Sequence, residues 1–217
     1  MDKIVPAFET SLLEPIFSSS FELAEIGIDS LLDSGLFRDI PIVSMIVGIG
    51  KTSQNLHDRN LLKQTLAFIK TFNEGHINEG KLNKYKTILE NNTKKAEDEL
   101  GRVLIILNRN VEIKKSQLLA KVFRAYVSEK IDWEQFCELS EVISRLFISD
   151  IQLLYKVFNN EIADTTQCFN YQADRLISIG LLDSAMKSMS IGNNNNSKTE
   201  RFISINELVN LLCSLTM

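Results

Sequence analysis

Proline and glycine are scarce in this 217-residue chain, at 3 and 9 residues. Few positions therefore interrupt a helical hydrogen-bond ladder, which favours long helices over a β-meander. Cysteine is sparse as well: Cys137, Cys168 and Cys213 are far apart and odd in number. They set up neither a disulfide framework nor a zinc pattern, and read as reduced thiols in a cytoplasmic protein. Of the two histidines, His76 lies in the turn-rich stretch Asn73–Gly80 without companions at metal-ligand spacing. His57 adjoins Asp58, but chain neighbours rarely aim the same way, so this pair reads as helix capping and a surface ion pair. The N-terminus, MDKIVPAFETSLLEP, has acids and prolines where the apolar core of a secretory signal would stand. A phosphate loop is incomplete: Gly50-Lys51-Thr52 supplies its end, but the first glycine of GxxxxGK[ST] falls on Met45. Glu138 and Glu141 stand one helical turn apart and read as a solvated face rather than a catalytic pair. No acid–base pair, nucleophile triad or metal cluster can be placed. The chain reads as a non-enzyme, and no cofactor is expected.

What is present begins with an uncharged apolar run, Ile40–Gly50 (IPIVSMIVGIG), followed by a polar stretch and then LLKQTLAFIK. The run is too short for a spanning helix, which needs ~20 apolar residues. It reads as a buried helix with Pro41 in its first turn, where no amide donor is required. The alternative is a segment that enters a membrane after a trigger. Ile40, Ile42, Val43, Met45, Ile46 and Val47 are its candidate residues as core or membrane segment.

Charge is unevenly spread along the chain. Residues 1–50 carry two basic and eight acidic side chains, residues 51–125 fifteen and eight, and residues 126–217 seven and twelve. A basic centre between acidic ends can attract an anionic surface, or can serve as internal complement to those ends. Internal docking is the preferred reading. Lys114, Lys115, Lys121 and Arg124 are the candidate anion contacts.

Apolar spacing of three and four residues predicts helices over most of the chain. Residues 1–20 read as a lightly structured lead-in. Phe21–Ser34 is expected to be helical, capped by Ser20 and stopped by Gly35. Leu61–Phe72 follows the apolar run, with Asp58 or Asn60 as its N-cap. Lys81–Ala96 and Glu97–Arg109 are helical, either separated by Asn91–Lys95 or continuous. Ile113–Val127 presents Leu118, Leu119, Val122, Phe123 and Tyr126 inward. Asp132 caps Trp133–Phe147, in which Phe136, Leu139, Val142, Ile143, Leu146 and Phe147 recur at core spacing, and Ser149 or Asp150 caps a short helix ending at Phe158. Tyr126, Trp133 and Phe136 read as packing anchors.

The C-terminal pattern differs: a helix over Thr165–Ser178, a turn at Gly180, strands over Ala185–Ile191 and Arg201–Ile205 around an Asn/Gly/Ser loop, and a last helix over Asn206–Leu215. This is the order in which a winged-helix module ends. Lys187, Lys198 and Arg201 are its candidate wing cations. Asp164, Asp174, Asp183 and Glu200 offset them, so a protein contact suits the module better than DNA readout.

The residues Arg175-Leu176-Ile177-Ser178-Ile179-Gly180-Leu181-Leu182, then Ile203-Ser204-Ile205-Asn206-Glu207-Leu208, resemble the end of helical bacterial proteins of the abortive-infection alpha type. There a Leu-x-x-Leu-Gly-Leu-Ile turn precedes a wing and a last helix. The Thr-x-x-Gly of that family's last helix is missing here. The central hydrophobic-then-amphipathic segment also looks like those of bacterial helical proteins found near phage-defence genes. The resemblance implies a defence role and transfers no catalytic residues.

The expectation is therefore a mostly α protein in three parts: a lead-in over 1–20, a helical bundle over 21–160 and a winged-helix-like module over 161–217. It would act in the cytoplasm as an interaction or effector protein, membrane-associated on activation if the apolar run is membrane-active. A protein partner or homo-oligomer is expected. The alternatives are a nucleic-acid-binding regulator and a structural subunit of a larger assembly.

Overall fold

The computed structural model describes residues 3–14, 40–49, 56–189 and 198–217. The helix expected over Phe21–Ser34, with Ser20 and Gly35 at its ends, lies outside the described residues, as does the Asn-rich loop after the first strand. Ten α-helices are described: α1 (Ile4–Leu13), α2 (Pro41–Ile49), α3 (Leu56–Glu74), α4 (Glu79–Asn91), α5 (Thr93–Arg109), α6 (Ile113–Val127), α7 (Trp133–Arg145), α8 (Ile148–Phe158), α9 (Asn170–Ser178) and α10 (Glu207–Thr216). The strands β1 (Leu182–Met189) and β2 (Lys198–Ile205) pair antiparallel, with Leu182 opposite Ile205 and Met189 opposite Lys198. The chain forms two compact units, Met1–Ser144 and Arg145–Met217.

In the first unit α1 occupies Ile4–Leu13 of the expected lead-in, whose residues 15–20 lie outside the described residues. Pro6 does not break it, because its missing amide falls in the first turn, where no intrahelical acceptor exists. Phe8 and Leu12 of α1 are fully buried. Pro41 opens α2 for the same reason. The next amide, that of Ile42, donates 3.1 Å to Ser11 Oγ, whose own hydroxyl donates 2.7 Å to the Ala7 carbonyl. A side chain of α1 thus satisfies an orphan donor at the start of α2. Ser11→Ala is expected to cost about 1–2 kcal/mol, the penalty for a buried donor left without acceptor. Urea unfolding would measure it, and an unchanged midpoint would mean that the Ile42 amide finds another acceptor.

Asparagine and aspartate start the following helices by accepting early backbone amides. Asn78 accepts from Gly80 and Lys81 at 3.0 and 3.3 Å ahead of α4, and Asn92 accepts from Lys95 at 3.0 Å ahead of α5. Asn92 therefore divides the Lys81–Arg109 stretch into two helices. Asp132 accepts from the Gln135 amide at 2.8 Å, and the Gln135 side chain accepts from the Asp132 amide at 3.1 Å, a reciprocal cap for α7. The helix expected from Leu61 starts earlier, at Leu56, so Asp58 and Asn60 lie inside α3. Asn60 instead reaches the Asn110 carbonyl at 2.8 Å, beside a buried amide network in which Ser116 donates to Gln64 at 2.7 Å and Gln64 donates to the Val111 carbonyl at 2.8 Å.

The core of this unit lies where α3 and α6 pack. Leu62, Leu66, Phe68, Ile69 and Phe72 of α3 are buried, as are Leu118, Leu119, Val122 and Phe123 of α6. Beside it the buried carboxylate of Glu99 accepts hydroxyls from Tyr85 at 2.8 Å and Tyr126 at 2.7 Å, and lies 3.5 Å from Lys95 Nζ.

The second unit begins ahead of the position 161 expected from sequence, because α8 packs on β2 and α10. Tyr155 Oη of α8 donates 2.9 Å to Thr216 Oγ1 of α10. The helix expected over Thr165–Ser178 is broken. A 3₁₀ turn over Thr165–Gln167 is closed by Asp164, Cys168 is extended, and α9 starts at Asn170. Gly180, at φ 73°, ends α9: its amide and that of Leu181 donate to the carbonyls of Ile177 and Leu176 at 3.0 and 2.9 Å. Asn206 caps α10 by accepting from Val209 at 3.0 Å.

Candidate functional site

The second unit displays large aromatic side chains around one anchored arginine. Phe147 precedes α8, and its amide donates 3.1 Å to Asp150 Oδ2 one turn later. That carboxylate is only 1% exposed. Its charge is met by Arg175 of α9, whose Nε donates to Oδ2 at 3.1 Å and whose Nη2 bonds Oδ1. A two-pronged guanidinium–carboxylate contact of this kind fixes direction as well as charge. The anchored guanidinium lies 4.7 Å from the Phe147 ring centroid and 5.8 Å from that of Tyr171. Tyr171 in turn stacks on Phe169, with centroids 5.5 Å apart and planes 21° apart.

These rings are solvent-facing: Phe147 is 57% exposed, Phe169 66% and Tyr171 62%. A groove of about 490 Å³ runs alongside Phe169 and Tyr171, edged by Lys156, Gln152 and Gln172. Cys168 also lines it, but burial, then the charge of Asp164, pushes its thiol above the ordinary range. Burial likewise raises Cys137, and raises Cys213 to about 11. All three thiols are therefore protonated near neutral pH, a poor state for nucleophilic chemistry. Among the described residues no group of three His, Cys, Asp or Glu side chains could hold a metal ion.

Sequence reasoning missed this face. Phe147 was expected on the buried side of a helix running from Trp133, but α7 ends at Arg145 and Phe147 becomes the residue before α8. Asp150, expected as a cap, does serve the start of α8, from three positions inside it. One legible signal was the spacing of Phe169 and Tyr171, since residues two apart cannot both face a helix core.

The residues singled out from sequence are distributed as follows. Ile40, Ile42, Val43 and Ile46 are buried in the first unit, Met45 is half-buried and Val47 is 45% exposed. Among the described residues no helix is long and apolar enough to cross a membrane. Lys114 is exposed. Lys115 Nζ donates 3.1 Å to the Ser144 carbonyl, and Arg124 donates 2.7 Å to the Thr71 carbonyl in the last turn of α3. The Arg124 guanidinium lies over Gly75, where a Cβ would come within 2.0 Å of its Cζ. Burial, then the charges of Lys114 and Arg124, lowers the Lys121 ammonium below its ordinary range. Lys121 interacts with Lys114 and Arg124, while Lys115 bonds elsewhere, and Lys115 and Arg124 are both engaged within the fold. Of the wing cations, Lys187 is exposed and Arg201 bonds Asp174, while the side chain of Lys198 lies outside the description. His57 and His76 are exposed, His57 lying 3.5 Å from the Asn108 amide, and Glu141 pairs with Arg102 at 3.3 Å.

Comparison with family models, with curated proteins and with solved structures finds no match to this chain.

Proposed function

We propose that the protein works by binding another protein, through the Phe147–Arg175–Tyr171–Phe169 face of its second unit, rather than by catalysis. The observation that carries this reading is the pre-set arginine between exposed rings. Aromatic side chains and arginine dominate the energetic centres of protein interfaces, and rigid ones lose little entropy on docking. Asp150 supplies that rigidity in advance. The order of α9, hairpin and α10 supports a winged-helix-like reading of the unit. The resemblance over residues 175–208 supports a role in bacterial antiviral defence.

Charge argues against nucleic acid as the main partner. Residues 145–217 contain six basic and seven acidic side chains. Two of those cations, Arg175 and Arg201, already bond Asp150 and Asp174.

The test is chemical cross-linking with mass spectrometry in the native host, beside light scattering of the purified chain. The wild type is expected to form one recurrent complex, with a partner or with itself, cross-linked near α9. Phe169→Ser with Tyr171→Ser should lower its yield at least tenfold, because exposed rings carry little folding stability. The same complex at full yield in the double variant would sink the proposal. So would retention on DNA that falls steeply with salt, the mark of phosphate binding.

A further inference from the structure

The first unit contains a groove of about 560 Å³, a size within the range of small-ligand sites. One wall is aromatic. The Tyr126 ring lies 5.2 Å from Trp133, and Trp133 stacks on buried Phe136 at 5.0 Å and 22°. The Tyr126 hydroxyl is fixed by Glu99, so this wall is held from behind. The lining is also cationic: Lys81, Lys84 and Lys130 border the groove.

The rim already holds an anion. The Glu129 carboxylate lies 2.6 Å from Lys84 Nζ and 3.8 Å from Lys81 Nζ. Glu129 ends α6 at φ 55°, the left-handed region that side chains other than glycine and asparagine rarely adopt. Lys84, then Lys81, holds this carboxyl below the usual range. Lys130 adds a third ammonium that makes no ion pair among the described residues.

We infer that the groove binds a small phosphorylated ligand bearing a flat ring, a nucleoside polyphosphate in chemical class. Its ring would lie against Tyr126 and Trp133, and its phosphates would take the place beside Lys84 and Lys81 that Glu129 fills in the free protein, with Lys130 lining the same groove. Glu129 is then a resident competitor, displaced on binding. A phosphate carries more charge and more acceptor oxygens than a carboxylate, so the exchange favours the ligand.

Trp133 is the chain's one tryptophan, so intrinsic fluorescence reports on this wall directly. The probes are adenosine triphosphate, inorganic triphosphate and adenosine, titrated into the full chain at low salt with excitation at the red edge. Adenosine triphosphate is expected to change the emission and to bind at least threefold tighter than either of the others. Glu129→Gly suits the left-handed backbone and removes the competitor, so it should tighten binding about threefold. Lys84→Met with Lys130→Met, both at exposed positions, should weaken it about tenfold. No emission change up to millimolar adenosine triphosphate would overturn the inference. So would equal affinity for inorganic triphosphate, or weaker binding in a Glu129→Gly protein whose circular dichroism is unchanged.

Discussion

Phe123→Ala is expected to lower stability by about 3–5 kcal/mol, the cost of emptying a large side chain's place in a packed core. The position is fully buried and central. Its ring meets those of Phe68 at 5.8 Å, Phe72 at 5.9 Å, Tyr85 at 6.1 Å, Tyr126 at 5.9 Å and Phe136 at 5.3 Å. These five partners come from four helices, α3, α4, α6 and α7, so none can close the cavity alone. Aromatic pairs contribute about 0.5–1.5 kcal/mol each beyond area, and they share one ring here, so their losses do not simply add. The cost should appear as a fall of roughly 10 °C in the melting temperature. Phe123→Leu keeps most of the volume and should lose less than half as much. Near-ultraviolet circular dichroism through thermal unfolding measures both. A loss below about 1 kcal/mol for the alanine variant would mean that the neighbours collapse into the space.

Phe123 also shows which part of the fold was legible in the sequence. The spacing of Leu118, Leu119, Val122, Phe123 and Tyr126 marks an inward stripe; the first four are buried and Tyr126 is partly exposed. Leu100, Val103, Leu104, Ile106 and Leu107 of α5 are all buried. Periodicity shows which face turns inward, because burial repeats with the helix. It does not show what that face meets. Glu99 lies on α5 as an ordinary acidic residue, and only the fold brings Tyr85 and Tyr126 to it. Arg175 finds Asp150 from 25 positions away, and Ser11 serves Ile42 from 31. Breaks between helices were legible where a capping side chain stood ready, as at Asp132. The break before α8 was placed two residues late, because its cap, Asp150, acts on Phe147 from inside the next helix. That one misplaced boundary moved Phe147 from the expected core to the exposed face, and with it a principal part of the candidate site.

Glu99→Ala should cost about 2–4 kcal/mol at neutral pH, because hydrogen bonds to a charged acceptor contribute about 1.5–3 kcal/mol each and the buried Tyr85 hydroxyl is left without its partner. Lys95 is partly exposed and can rehydrate, so it adds little. The network also sets an alkaline limit. Burial, then the Glu99 charge, raises the Tyr85 phenol far above its ordinary value. A raised folded value means that the folded state keeps its proton while the unfolded chain releases it. Stability from this group is therefore complete below pH ~10 and falls as pH rises, by about 1.4 kcal/mol per pH unit. Burial raises the Tyr126 phenol in the same direction, but that side chain is half exposed and its share is smaller. Because burial is the largest cause at Tyr85, the alkaline loss should persist in Glu99→Ala and be largely removed in Tyr85→Phe. Urea unfolding at pH 9, 10 and 11, with tyrosinate absorbance followed alongside, separates the two. An equal alkaline slope in the wild type and in Tyr85→Phe would show that another group sets the limit. A slope abolished by Glu99→Ala alone would show that the carboxylate's charge, rather than burial, holds the proton on Tyr85.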